Sequence, residues 1–285
     1  MQPAKNDRDR LSPVSEVPDL SAKEKDAVAE QSRPNAALIH ETIRAEGESE
    51  LERTWSALML SGLAAGLSMG FSLIVEGLLQ SRLPDTPWRD LISKFGYTAG
   101  FLIVVLGRQQ LFTENTLTPI LPLLHNRDAG TLLRVLRLWA LVLAANVAAT
   151  WIIAAVLART GIFVAPVKDA FADIASHSIE STFALTALKG VFAGWLIALM
   201  VWLLPSAGSL RPIIIILITY IVGIGSLTHV IAGSVDAAYL VLAGDAGLGS
   251  YLWRFFVPTL LGNTAGGVAL VAVLNYGQVA PELRA

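Results

Sequence analysis

The run from Pro212 to Ala243 is apolar except near its middle, where Ser226-Leu227-Thr228-His229-Val230-Ile231-Ala232-Gly233-Ser234 intervenes. A chain that crosses hydrocarbon must satisfy every backbone N–H and C=O internally, so a polar, Gly-bearing interruption at that depth is tolerated only against protein or along a water-filled path. A second overlong run, 91–125, is broken in the same manner by Gly107-Arg108-Gln109-Gln110-Leu111-Phe112-Thr113-Glu114-Asn115-Thr116. Each run is therefore expected as two half-helices around a loop. His229 is the leading functional candidate. Strongly charged side chains at the bilayer centre cost about 2.5–3.5 kcal/mol or more, so an ionisable group there marks a functional site. His40, His125 and His177 fall in the tail or in connecting segments.

Windows of about 20 apolar residues, enough to cross ~30 Å of hydrocarbon, stand at 55–80, 91–125, 132–158, 183–204, 212–243 and 252–275. The expected fold is an all-α membrane protein with six transmembrane helices, the second and fifth broken. The breaks occupy the middle of successive three-helix halves, the pattern of two inverted repeats with a binding site near the midplane.

Charge sets the domain limits. Of the 21 basic and 23 acidic residues, 20 lie within residues 1–54, and the rest of the chain falls far below the ~25% charge of a soluble domain. Residues 1–54 form a polar tail without the apolar core of a cleaved signal peptide, 55–276 the channel domain, and 277–285 a short C-terminal tail. Pro3, Pro13, Pro18 and Pro34 among mixed charges predict disorder over 1–34. Residues 35–54 suit a helix lying on the membrane surface or on the protein, or else a partly ordered lead-in. A short interfacial helix is expected within 159–182. Arginine and lysine divide almost evenly between the two sides, so an N-inside orientation rests on six-span parity and the long polar tail.

Several functions find no support. The absence of cysteine excludes disulfides, thiolate metal sites and a cysteine nucleophile. No HExxH helix is present and no second histidine stands at ligand spacing from His229, so neither a metal nor another cofactor is expected, and enzymatic chemistry is disfavoured. The expected partners are the lipid bilayer and a small solute, not nucleic acid.

Gly62, Gly66 and Gly70 share one helix face and predict close approach of another helix. Gly262, Asn263, Gly266 and Gly267 make a similar small-residue face in the last window. Trp139, Trp151, Trp202 and Trp253 fit interfacial anchors, and Trp195 fits packing. Glu114 either lines the path, pairs with Arg108 or caps the following half-helix. Glu76 reaches the interface, pairs with Arg82 or serves the path. Asp236 and Asp245 read as structural or solvated.

Four stretches together carry a resemblance: the Leu111-Phe112-Thr113 break, Gly190 to Leu203 (GVFAGWLIALMVWL), the His229 break, and Gly262-Asn263 with Gly266-Gly267. In order and spacing they resemble the formate/nitrite transporter family. The resemblance implies an aquaporin-like protomer and a homopentamer with one pore per subunit in the bacterial inner membrane. It also implies cytoplasmic termini and passage of a small monovalent anion such as formate or nitrite. By the same resemblance His229 is the pore histidine and a proton donor, Thr113 is the loop threonine, and Tyr97 and Val222 fall at the apolar constrictions, where bulky aromatics are usual. Glu114, Asn115 and Thr228 join the path, with Glu76 and Arg108 as accessory polar residues. The family's pore asparagines correspond to Gly194 and Gly233 and its vestibule lysine to Ser178, so the polar equipment has changed. The competing readings are a channel of the same architecture for a neutral or cationic solute, and a non-transporting scaffold or sensor.

Overall fold

Helix starts are written in the sequence as oxygen-bearing residues placed just ahead of apolar runs. Asn35 accepts from the Leu38 N–H at 2.8 Å and opens helix α1, Ala36–Glu52. Thr54 accepts from Ala57 and opens α2, Trp55–Gln80, and Asp128 accepts from Thr131 at 2.9 Å at the head of α6. Each side chain satisfies one of the N–H groups that a helix start leaves without a partner. The computed structural model describes residues 35–279, and no strand occurs among them. The expectations for 1–34 and for 280–285 lie outside the described residues.

After α2 the chain runs through α3 (Arg89–Ser93) and α4 (Thr98–Leu106), a loop with a short turn at Glu114–Thr116, and α5 (Ile120–Asn126). Helix α6 (Ala129–Arg159) follows, then α7 (Ala165–Ser176), α8 (Phe183–Leu203), α9 (Arg211–Ile224) and α10 (Ala232–Ala243). Residues 248–279 form a last helical run, α11, which is wound in wider π turns over Tyr251–Phe256 and Gly266–Val273. Among the described residues, three continuous helices are long and apolar enough to cross a bilayer: Trp55–Gln80, Ala129–Arg159 and Phe183–Ser206. The 91–125 and 212–243 windows are each divided into shorter helices.

The small-residue faces bring helix pairs into backbone contact. A Cβ on Gly66 would lie 2.4 Å from the Asn146 carbonyl oxygen, and one on Gly262 would lie 2.2 Å from that of Ala187. Thus α2 packs on α6 and α8 on α11 with no room for a methyl group, the close approach that glycine permits in helix pairs. Helix α1 docks beside this bundle. Arg137 donates to the Leu51 and Arg53 carbonyls at 2.9 and 3.1 Å, and Gly47 lies against the Thr118 backbone.

Candidate functional site: two helix breaks meeting at Thr113 and His229

Both breaks open with a glycine followed by a residue in the left-handed region. Helix α4 ends at Gly107 and Arg108 has φ 50°; α9 ends at Gly225 and Ser226 has φ 46°. Such a conformation is uncommon outside glycine and turns the chain sharply out of the helix. One buried asparagine then holds each loop. Asn146 of α6 donates to the Gly62 and Gln110 carbonyls at 2.8 and 2.9 Å and accepts from the Phe112 N–H at 2.9 Å. Asn263 of α11 donates to Gly190 and Thr228 at 2.8 and 2.9 Å and accepts from Val230 at 2.8 Å. Each amide therefore supplies the backbone partners lost where the helix opened, and each ties its loop to a glycine carbonyl on a neighbouring helix. Trp139 donates to the Asn115 carbonyl at 2.8 Å and meets the Phe112 ring in a T-shaped contact.

The loops place Thr113 and His229 in contact, with Thr113 Oγ1 2.7 Å from His229 Nε2. The other ring nitrogen, Nδ1, accepts from the Ala232 N–H at 3.1 Å and so caps α10. A nitrogen that accepts carries no proton, which assigns the neutral tautomer with Nε2–H donating to Thr113. His229 is 1% exposed, and the edge of the Phe101 ring closes on it at 4.9 Å between centroids. Phe101, wholly buried, also meets Tyr97 at 5.3 Å. Sequence reasoning passed over it as one apolar residue among many.

A cavity of about 410 Å³ runs up to His229, and Thr113, wholly buried, is not among the residues of its wall. Tyr97, Val222, Thr228 and Glu76 line it together with His229. Glu76 is 2% exposed and takes Lys94 as its partner at 2.5 Å. Arg82 donates instead to the Leu78 carbonyl, so the expected Glu76–Arg82 pair does not form. Arg108 is 77% exposed, pairs with Glu46 at 3.2 Å and stands apart from the cavity wall. The Glu114–Arg108 pair is likewise absent, and Glu114 Oε1 is buried with no donor. Asn115 donates to Gln110 Oε1 at 2.8 Å, bracing the first loop. Trp195 packs beside Phe192 in the wall of an apolar surface groove that also includes Leu199. Asp236, read from the sequence as structural or solvated, stands on the cavity wall. Its position past the second break was visible in the sequence, but the direction of its side chain was not.

The family model "Formate/nitrite transporter" matches residues 37–277. The chain belongs to the formate/nitrite transporter family. It is thereby a helical membrane transport protein and not an enzyme. Among relatives, the inner membrane protein YfdC of Escherichia coli K12 is 38% identical over 283 residues, covering 97% of this chain and 91% of the relative. The fold is also that of two solved structures. One, an FNT family ion channel, has a TM-score of 0.75 at 16% identity and covers 84% of this chain and 98% of that one. The other, a pentameric formate channel with formate bound, has a TM-score of 0.68 at 18% identity and covers 79% and 98%.

At Gly194 and Gly233, which the resemblance sets against pore asparagines, packing is tight against a Cβ. A Cβ on Gly194 would lie 2.3 Å from the Asn263 carbonyl oxygen, and one on Gly233 would meet the Phe255 ring at 2.6 Å. Ser178, which the resemblance sets against a vestibule lysine, turns its hydroxyl back to the Ala175 carbonyl at 2.7 Å. Lys94 and Lys189 reach the cavity from other elements.

Proposed function

We propose that this chain is a channel-type transporter that passes a small monovalent anion, or its weak acid, between the two half-helix breaks. The observation that carries the reading is the Thr113–His229 contact at 2.7 Å, held at the foot of a cavity by two loops braced alike. Asn146 and Asn263 make equivalent bonds around corresponding positions. That correspondence supports six membrane crossings in two inverted three-helix repeats with the broken helices at their centre. Half-helix N-termini turn N–H groups and partial positive charge towards the path. His229 Nε2–H and the Thr113 hydroxyl are the polar contacts for a passing solute, and Tyr97 and Val222 shape the approach. His229 is also the group that hands a proton to a passing anion. Doing so through Nε2 requires Nδ1 first to take a proton from water, so that the ring passes through its cation and is left as the Nδ1–H tautomer, and the Ala232 bond has to yield.

Assembly as a pentamer is proposed on the likeness to the pentameric formate channel. A bacterial inner membrane location follows the 38% identical relative. Both termini, with the polar tail and α1, are assigned to the cytoplasm. The test is flux in proteoliposomes of the full chain, using formate and nitrite against empty vesicles. Saturable or pH-dependent entry above the empty control is expected for at least one of them, and entry of neither removes the channel reading.

A further inference from the structure

The cavity has an open mouth and a closed foot. Asp173, His177 and Glu180 at the mouth are exposed, whereas Val222 is 0%, His229 1% and Phe255 1% exposed at the foot. Tyr97 and Val222 reach the foot from the head of α4 and from α9. Phe255 reaches it from α11.

A proline sets the local course of that helix. Pro258 has no N–H for the Arg254 carbonyl, and a proline ring inside a helix crowds the carbonyl four residues before it. The turn ahead of it, Tyr251–Phe256, is wound wide, a form that recurs at functional sites. From this turn the Phe255 ring rests on α10, where Gly233 leaves it room, since a Cβ there would lie 2.6 Å from both Cε2 and Cζ. Tyr251, 6.3 Å from Phe255 between ring centroids, fixes the turn. Its hydroxyl is 3.2 Å from Ser234 Oγ, and Ser234 donates to the Val230 carbonyl at 2.6 Å. A hydroxyl has one proton, so Tyr251 is the donor to Ser234. Val230 directly follows His229. The Phe255 ring and the histidine are thus braced through one loop, and a ring packed in this manner yields little to a larger guest.

We propose that Phe255 is a specificity-determining residue of the path. Its ring is the wall that sets the largest solute able to reach His229, admitting molecules of the size of formate and turning back hydroxy acids one and two carbons longer. Such a wall acts on shape and not on the charge of the solute. An apolar site that cannot seat an added methylene discriminates against it by about 10- to 200-fold. The mouth imposes no such limit, because a cavity of about 410 Å³ falls in the range of sites that hold far larger ligands. This inference rests on the channel reading above and deepens it by naming the residue that limits solute size.

The experiment measures influx of formate, glycolate and lactate into proteoliposomes of the full chain at one neutral pH, corrected for empty vesicles. The three acids are close in strength, so protonation affects all alike and size separates them. Wild type is expected to admit formate at least about tenfold faster than lactate, with glycolate between. Phe255→Ala should raise the lactate-to-formate ratio on the order of tenfold. Phe255→Leu should raise it less, and its larger apolar side chain guards against failure of the alanine variant to assemble. Gly233→Leu in the Phe255→Ala background sends a side chain into the vacated space and should return the ratio towards the wild-type value, which a merely loosened fold would not do. Phe256→Leu, on the same turn but outside the cavity wall, should keep the wild-type ratio. Lactate entry as fast as formate entry in the wild type overturns the inference and leaves the channel reading intact. So does a ratio unmoved in the assembled Phe255 variants, or one raised equally by Phe256→Leu. Entry of none of the three acids, nor of nitrite, above empty vesicles removes both readings.

Discussion

Thr113 Oγ1 and His229 Nε2 are 2.7 Å apart although 116 residues separate them in the chain. The bond joins the two loops at the one level where neither is helical. Because His229 Nδ1 is occupied by the Ala232 N–H, Thr113 is the acceptor for Nε2–H and its own hydroxyl proton stays available to a solute. Thr113→Val keeps the shape but leaves a buried N–H without an acceptor, at a cost of about 1–3 kcal/mol. Expected outcomes are a lower melting temperature in detergent and reduced formate flux, with Thr113→Ser close to wild type in both. A valine variant equal to wild type in melting and flux would remove the bond from the mechanism.

Asn146 and Asn263 each make three hydrogen bonds inside the bundle. Replacing either by alanine strands one loop carbonyl and one loop N–H where water has little access, the glycine carbonyl keeping its helical bond, and each stranded group costs about 1–3 kcal/mol. Both Asn146→Ala and Asn263→Ala should lose most of the folded oligomer. Asn→Asp at the same sites retains the acceptor and only partly restores yield. Size-exclusion profiles of the detergent-solubilised variants read this out directly. A monodisperse, wild-type-like profile for both alanine variants would show that the loops are held by something else.

The broken segments were legible in the sequence because polar residues inside an overlong apolar run admit few backbone solutions. The helix caps at Asn35, Thr54 and Asp128 follow from the same local chemistry. What remained illegible was set by long-range geometry. Phe101 is one apolar residue in an apolar helix until the fold turns its ring edge to His229. Glu76 had Arg82 close in sequence, yet the elbow between α3 and α4 brings Lys94 to it instead. Trp139 sits where an interfacial anchor would, and only the placement of the first loop shows its N–H serving Asn115. Asp236 could be located along the chain but not aimed.

Glu50 couples α1 to the first break, accepting from Gln110 Nε2 and from Thr118 Oγ1, each at 3.0 Å. Burial pushes its carboxyl above the usual range, and those two bonds only partly oppose the shift. A carboxyl raised in the folded state favours docking fully below its ordinary range, and that contribution fades as pH rises through the raised value. Hydrogen exchange of the α1 amides, corrected for intrinsic rates, should therefore show protection that falls as pH rises above the ordinary carboxylate range. In Glu50→Gln the fall should flatten. Equal slopes in the two proteins would mean that Glu50 does not set the docking of α1.

The resemblance sets Gly233 against an asparagine, and the Phe255 ring fills the space that a Cβ would need. Gly233→Asn alone should destabilise, by about 1–3 kcal/mol as expected of overpacking. Gly233→Asn with Phe255→Ala should recover part of that loss, because the new side chain takes the vacated volume. Thermal melting of the two single variants and the double variant gives the coupling directly. Strict additivity would show that the ring is not what excludes the asparagine.

His229→Asn separates the two jobs assigned to His229. Asparagine Oδ1 reaches the place of Nδ1 and can accept from the Ala232 N–H, so the cap on α10 and the course of the second loop should survive. Its side chain is too short to carry a donor to Thr113 in place of Nε2 and does not titrate near neutrality. The variant should assemble as the wild type does, while formate flux between about pH 5 and 8 loses the part of its pH dependence that arises in the protein and keeps the part set by the concentration of undissociated acid. The control is the same pH series with Thr113→Ser, in which the histidine is intact. If the wild type and His229→Asn give superimposable profiles at equal incorporation, His229 is a helix cap and a hydrogen-bond donor to Thr113, and the proton handled in the path is carried by the solute alone.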